Sequence, residues 1–251
     1  MLAIQIVAGL LMLGSRAALE LTPTQLPLAQ VLCLDLSLCA AIVLCLRRSQ
    51  VPFQSRFWPT RAEQPLSLDF WLALGLAYPA WLTFDLAVLN PISERLGPAE
   101  LEQVFENLLS QPVGLLSICL SGPVLEEVLF RGIILDSFLR RFSKGRAIVL
   151  AASLFALMHG NWAQLLPALF LGMSLSWIYA WTRSLWPCLV IHVLHNSLIV
   201  WLSEGAGADD YQSTELPLVF WPGLAVLSYL AYRQWRKLLR PPQALDPSAP
   251  E

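Results

Sequence analysis

The chain has 251 residues, of which 56% are hydrophobic and 14% charged, with a mean hydropathy of +0.58 and a formal net charge of −2. A soluble domain carries about 25% charged residues, so this composition excludes an ordinary soluble globule, and it offers no basic surplus for nucleic acid. The 18 Pro and 13 Gly suit membrane helices, which tolerate both.

A transmembrane helix needs roughly 20 mostly apolar residues. In chain order, about eight stretches approach that requirement, over residues 2–20, 27–46, 69–90, 110–138, 146–160, 163–182, 185–203 and 216–234. The first carries Arg16 and Glu20 near its end, and the fifth is short. No Lys or Arg precedes the first apolar run, so it is expected to be a retained span and not a cleaved signal peptide. Residues 51–68 read as a loop with aromatic interfacial anchors, and 92–106 as an amphipathic helix on the opposite surface. Residues 241–251 are Pro-rich and read as a disordered tail. The expected organisation is N-terminal helices and a loop over 1–109, a core over 110–203, a last helix over 204–240, and the tail.

Charge supports alternating sides. Thirteen of the 16 Lys and Arg follow even-numbered spans: Arg47, Arg48, Arg56 and Arg61; Arg140, Arg141, Lys144 and Arg146; Arg183; and Arg233, Arg236, Lys237 and Arg240. The opposite loops carry Glu94, Glu100, Glu102 and Glu106, then Glu204, Asp209, Asp210 and Glu215. The positive-inside rule puts the basic loops and both termini on the cytoplasmic side. The 5 Cys lie in apolar runs without a CxxC pair and read as small buried hydrophobes.

Ionisable groups inside spans are costly, so each marks a functional candidate. Three clusters stand out: Glu126-Glu127-Val128-Leu129-Phe130-Arg131, Phe155-Ala156-Leu157-Met158-His159, and His192-Val193-Leu194-His195-Asn196. All 3 His of the chain fall in the last two. Glu127 and Arg131 are i and i+4 and share a helix face as an ion pair. Glu126 sits about 100° around from Glu127 and points elsewhere. Phe155 lies one turn before His159 and can pack behind its ring.

Depths agree. Glu126 lies 14 residues before Arg140, roughly 21 Å along a helix. His159 lies 13 residues after Arg146, roughly 20 Å. His192 lies nine residues after Arg183, roughly 13 Å. Three helices are thus expected to bring a carboxylate, two imidazoles and an amide together inside the bilayer. Without a local cation, Glu126 suits the task of taking a proton from water. His159 would share that water or pass its proton to a leaving amine, while His192 and Asn196 would hydrogen-bond a tetrahedral oxyanion. The reaction class is water attack on an acyl carbon. Two His and one or two Glu are also good zinc ligands. A divalent metal on Glu126, His159 and His192 therefore stays open beside the metal-free route, although no HExxH is present.

Read together, EEVLFR, FALMH and HVLHN fit EExxxR, FxxxH and HxxxN in order on successive hydrophobic segments. In this the chain resembles the CPBP family of intramembrane proteases, also called the ABI or abortive-infection family. It includes the CAAX prenyl endopeptidases and bacteriocin-processing proteins. The resemblance spans residues 110–203. It implies an all-α integral membrane protein of about eight helices around an intramembrane catalytic cavity. It also implies a peptide or protein substrate, lipidated in the prenyl-protein members. It carries the catalytic Glu onto Glu126, with Glu127 and Arg131 as its supporting pair. His159, His192 and Asn196 fall on the family's other motif positions, and His195 on a variable one.

The bland readings are a purely structural Glu127–Arg131 pair, a His159 or His192 satisfied by a backbone carbonyl, and an Asn196 that joins helices. Asp35 and Asp85 read as neutral, hydrogen-bonded or interfacial acids. The rival functions are a transporter, in which such residues line a path, and a non-catalytic immunity or interaction protein on the same scaffold.

Overall fold

A computed structural model describes residues 26–48, 66–96, 108–160, 162–206 and 220–238. Among these residues the structure is helical and has no strand. In chain order the helices are α1 (Leu26–Arg48), α2 (Leu68–Phe84), α3 (Asn90–Glu94), α4 (Pro112–Leu116), α5 (Gly122–Leu129), α6 (Asp136–Leu139), α7 (Lys144–Met158), α8 (Leu165–Thr182), α9 (Trp186–Ala206) and α10 (Phe220–Leu238). Wide π turns over Asp85–Leu89, Ser117–Ser121 and Phe130–Leu135 join α2 to α3, α4 to α5 and α5 to α6.

Four continuous helical stretches are long and apolar enough to cross a membrane: Leu68–Ser93, Pro112–Leu139, Trp162–Thr182 and Trp186–Ser203. The expected count of about eight is therefore not reached among the described residues. The first expected span, the loop over 51–65, most of the surface helix over 92–106 and the tail over 241–251 lie outside them. The second expected span forms α1, which is not among the four, and two other shortfalls have physical reasons. Helix α7 has 15 residues, about 22 Å of rise, which is less than the hydrocarbon thickness of ≈ 30 Å. Helix α10 begins at Phe220 and runs on to Leu238, so it takes in Arg233, Arg236 and Lys237.

The chain divides into two compact units. One comprises residues 65–88 and 215–251. In it α2 and α10 pair through buried Phe70, Ala73 and Ala231. The Phe70 and Trp235 rings meet edge-on at 6.1 Å, and the Gln234 amide donates to Asp69 Oδ1 at 2.6 Å. Pro79 lies inside α2, where Thr83 Oγ1 donates to its carbonyl at 2.8 Å.

The other unit comprises residues 1–64 and 89–214 and holds all three polar clusters. Its core joins Leu38, Ala41 and Ile42 of α1 to Val128, Leu129, Phe130 and Ile133, and to Phe155 and Ala156 of α7. Small residues let α7 and α8 approach closely. A Cβ on Gly172 would stand 3.1 Å from the Phe155 ring and 3.2 Å from Ala152 Cα. The outward residues Val149, Leu150, Leu154 and Leu157 of α7 are large, apolar and exposed, as a hydrocarbon solvent requires. Helix α7 closes on His159, followed by Gly160 at φ 63°, the left-handed conformation that ends a helix without a Cβ clash.

Candidate active site

The segment that carries the two glutamates lies between two π turns, and the first follows from its sequence. Pro123 has no N–H, and the Gly122 N–H bonds back to Ser117 O. A Cβ on Gly122 would lie 2.8 Å from that same oxygen, so the turn needs glycine there. The Ile118 carbonyl then loses both backbone donors that could reach it: Gly122, its α-helical partner, is engaged elsewhere, and Pro123, its π-helical partner, has none. A buried carbonyl needs a partner, and Asn196 Nδ2 of α9 supplies it at 2.9 Å.

One turn on, Glu127 and Arg131 are essentially inaccessible, at 0% and 1% exposure. Arg131 Nη1 bonds Glu127 Oε1 at 2.5 Å, and Arg131 Nη2 donates to Gly172 O at 3.3 Å. The same Glu127 oxygen lies 2.6 Å from His192 Nδ1. Glu127 is thus more than half of a local ion pair, because it ties α5 to α9 across 65 residues of sequence. Its partner on the ring is a carboxylate, which only accepts, so Nδ1 carries the proton and Nε2 is the end turned to Glu126. Glu126 Oε2 stands 3.8 Å from that Nε2, and its side chain keeps 25% exposure. That separation is too long for a hydrogen bond, but a water oxygen about 2.8 Å from each atom fits between them.

His159 is oriented by the same logic. Its Nδ1 lies 2.9 Å from Phe155 O; a carbonyl can only accept, so Nδ1 donates and Nε2 is left for chemistry. Phe155 is the shared floor. Its ring meets His159 at 4.9 Å, His192 at 5.9 Å and Phe130 at 5.1 Å, all edge-on. The Arg131 guanidinium lies 4.6 Å above it, a cation–π contact.

Glu126, Glu127, Arg131 and His192 are thus brought together, His159 joins them through the shared Phe155 ring, and Asn196 is fixed on Ile118 O, but not with equal freedom. Glu126 and the Nε2 ends of the two His are the groups available for chemistry. Glu127 and Arg131 hold the frame. Asn196 gives one of its two amide hydrogens to Ile118 O, which leaves the other. His195 is buried.

A zinc site requires three or four converging donors. Among the described residues no three His, Cys, Asp or Glu side chains are grouped in that way. His159 and His192 each have Nδ1 engaged, which leaves Nε2 as the end that could ligate. Glu126, His159 and His192 are thus not brought together as a three-donor site among the described residues.

Sequence reasoning passed over two participants in the site and one ion pair outside it. Phe155 appears there only as a backing for His159. The Ile118 carbonyl has no side-chain signature, although Ser121-Gly122-Pro123 inside an apolar run marks an irregular turn. Asp136 pairs with Arg140 at 2.6 Å and Arg183 at 3.6 Å; the first of these was visible at i, i+4.

These features define a helical, membrane-grade protein with a polar cluster buried between its helices. Residues 108–198 match the family model described as "Type II CAAX prenyl endopeptidase Rce1-like". That segment contains all three motifs, so the resemblance read from them is shown. Two curated relatives agree. The chain is 23% identical over 120 residues to "Putative membrane peptidase YdiL" of Bacillus subtilis (strain 168), covering 47% of this chain and 49% of the relative. It is 26% identical over 141 residues to "Membrane-embedded CAAX protease MroQ" of Staphylococcus aureus (strain USA300), covering 52% and 56%. The chain thus spans about half the length of the curated relatives it matches. No solved structure matches it.

Proposed function

We propose that this protein is an intramembrane endopeptidase that uses Glu126 to activate water. The observation that carries this reading is the placement of Glu126 Oε2 3.8 Å from His192 Nε2, with the imidazole held from behind by Glu127. In the reaction, Glu126 takes a proton from water and the hydroxide forms a C–O bond to the acyl carbon. The carbonyl π electrons move onto oxygen. The remaining Asn196 N–H steadies that oxyanion, together with His192 in its doubly protonated form, Nδ1–H on Glu127 and Nε2–H toward the pocket. With that proton in place, two carboxylates face an imidazolium and a guanidinium, and the cluster is neutral. The C–N bond then breaks as His159 Nε2, which has received the water proton from Glu126, delivers it to the leaving amine. The products are a carboxylic acid and an amine, with no redox partner and no metal.

The substrate class this reading supports is a lipid-anchored peptide or protein that approaches within the bilayer. The family description and the printed name of MroQ both point to CAAX ends. Both termini lie on the cytoplasmic side in this reading, and nucleic acid is not a partner.

The test compares the termini of membrane proteins in cells that carry wild-type or Glu126→Gln protein. New C-terminal ends that vanish in the variant are expected, and they name the substrate. Identical profiles, with both proteins folded and present at equal levels, would sink the peptidase in favour of a transporter or a silent scaffold.

A further inference from the structure

Asp35 lies on α1, well outside the segment that matches the family model. A carboxylate in an apolar helix needs partners, and among the described residues it has two. Ser121 Oγ donates to Asp35 Oδ2 at 2.8 Å, and Ser117 Oγ to Oδ1 at 3.4 Å. Those two serines are the first and last residues of the π turn Ser117–Ser121. The turn's wide geometry strips Ile118 O of backbone donors, and that oxygen holds Asn196. A short chain of contacts thus runs from Asp35 through both ends of the turn to Ile118 O, and from there to the amide on α9.

We infer that Asp35 is a positioning residue, which clamps the π turn from outside so that Asn196 is held with its second amide hydrogen toward the developing oxyanion. This rests on the peptidase reading above for its catalytic consequence, but not for its structural one. Asp35 touches no reacting atom. It acts through the turn, and the bidentate use of its carboxylate sets the spacing of Ser117 and Ser121. A helix-packing contact alone would not need both oxygens on the two ends of one turn.

The test uses the full-length protein in detergent. The side-chain 15N amide resonance of Asn196 is recorded in wild type, Asp35→Leu and Ser121→Ala. It is expected to move in both variants and to return toward wild type in Asp35→Asn, which still accepts from Ser121. A resonance unmoved in both variants overturns the inference. Should Asp35→Leu not fold, Ser121→Ala alone carries the same readout, because it removes the shorter bond from the other side.

Kinetics on a farnesylated CaaX peptide supply the second arm. A misplaced catalytic group costs up to about a hundredfold, so kcat is expected to fall roughly tenfold or more in Asp35→Leu, with KM unchanged. Asp35→Leu added to Asn196→Ala is expected to cost nothing further. An equal loss in both backgrounds, or a change in KM alone, overturns the inference while leaving the peptidase intact. Full activity in Glu126→Gln or Asn196→Ala overturns the role proposed for that residue instead, absence of cleavage by the wild-type protein overturns the peptidase reading, and the resonance shifts then still decide whether Asp35 holds Asn196.

Discussion

Glu126 and Glu127 are adjacent in sequence, yet their replacement by glutamine should fail in opposite ways. Glu127 has 0% exposure and faces an Arg131 with 1%. Its neutralisation leaves the buried guanidinium without its hydrogen-bonded carboxylate, with Gly172 O and the Phe155 ring still against it. Breaking a buried pair from one side costs about 3–5 kcal/mol. At roughly 2–4 °C per kcal/mol for a chain of this size, Glu127→Gln should melt about 6–20 °C below wild type. Glu126 is 25% exposed and stands 3.8 Å from its nearest basic atom. Glu126→Gln should therefore change stability by less than about 0.5 kcal/mol while abolishing cleavage. Intrinsic tryptophan fluorescence during heating in detergent reads both, with ten Trp as reporters. A third variant separates charge from chemistry. Among the described residues Glu127 Oε2 and Arg131 Nε have no hydrogen-bond partner, so the pair is imperfectly satisfied, and apolar replacement of both members is often neutral. Glu127→Leu with Arg131→Met should recover most of the lost melting temperature. It should remain inactive, because His192 Nδ1 no longer has its acceptor. Wild-type melting of Glu127→Gln, or restored cleavage in the double variant, would refute the reasoning.

Three further outcomes follow from the geometry. Gly122→Ala forces a Cβ to within 2.8 Å of Ser117 O; the turn must yield, so cleavage should fall and stability drop by about 1–3 kcal/mol, read by peptide assay and melting. Gly172→Ala presses a methyl group onto Phe155 and Ala152. It should destabilise the protein by a similar 1–3 kcal/mol or so and weaken the Arg131–Gly172 contact; a neutral melt would show that α7 and α8 can separate at little cost. Dialysis against a chelator should leave cleavage of the farnesylated peptide unchanged, and elemental analysis should find no stoichiometric zinc. Activity lost on chelation and restored by zinc would overturn the metal-free mechanism.

Local spacing made part of the site readable in advance. Glu127 and Arg131 at i, i+4 do pair, and Phe155 does pack behind His159, because a helix fixes such neighbours whatever surrounds it. The bond from Glu127 to His192 was not readable, since it depends on how α5 and α9 cross. The placement of Asn196 against Ile118 O depends on a backbone hydrogen-bond shift that leaves the apolar pattern almost untouched. Inside and outside faces were equally opaque. On α8 the buried Leu171, Leu175 and Ile178 alternate with exposed Met173 and Trp177, and every side of such a helix is apolar. Length and charge limited the span count, as α7 is too short and α10 ends among basic residues.

The π turn ahead of α5 also has a bearing on how a chain with these three motifs could lose the activity proposed here. A π turn holds one residue more than an α turn over nearly the same rise. Deletion of a single residue there would let the backbone relax to regular α geometry. The flanking helices would keep nearly the same facing, but Ser117 and Ser121 would stand one residue closer in sequence and lose the spacing that Asp35 bridges, although every motif letter would survive. An aligned sequence with intact EExxxR, FxxxH and HxxxN but one residue fewer before the glycine would thus be a candidate for an inert protein, recognisable from its gap and not from its substitutions.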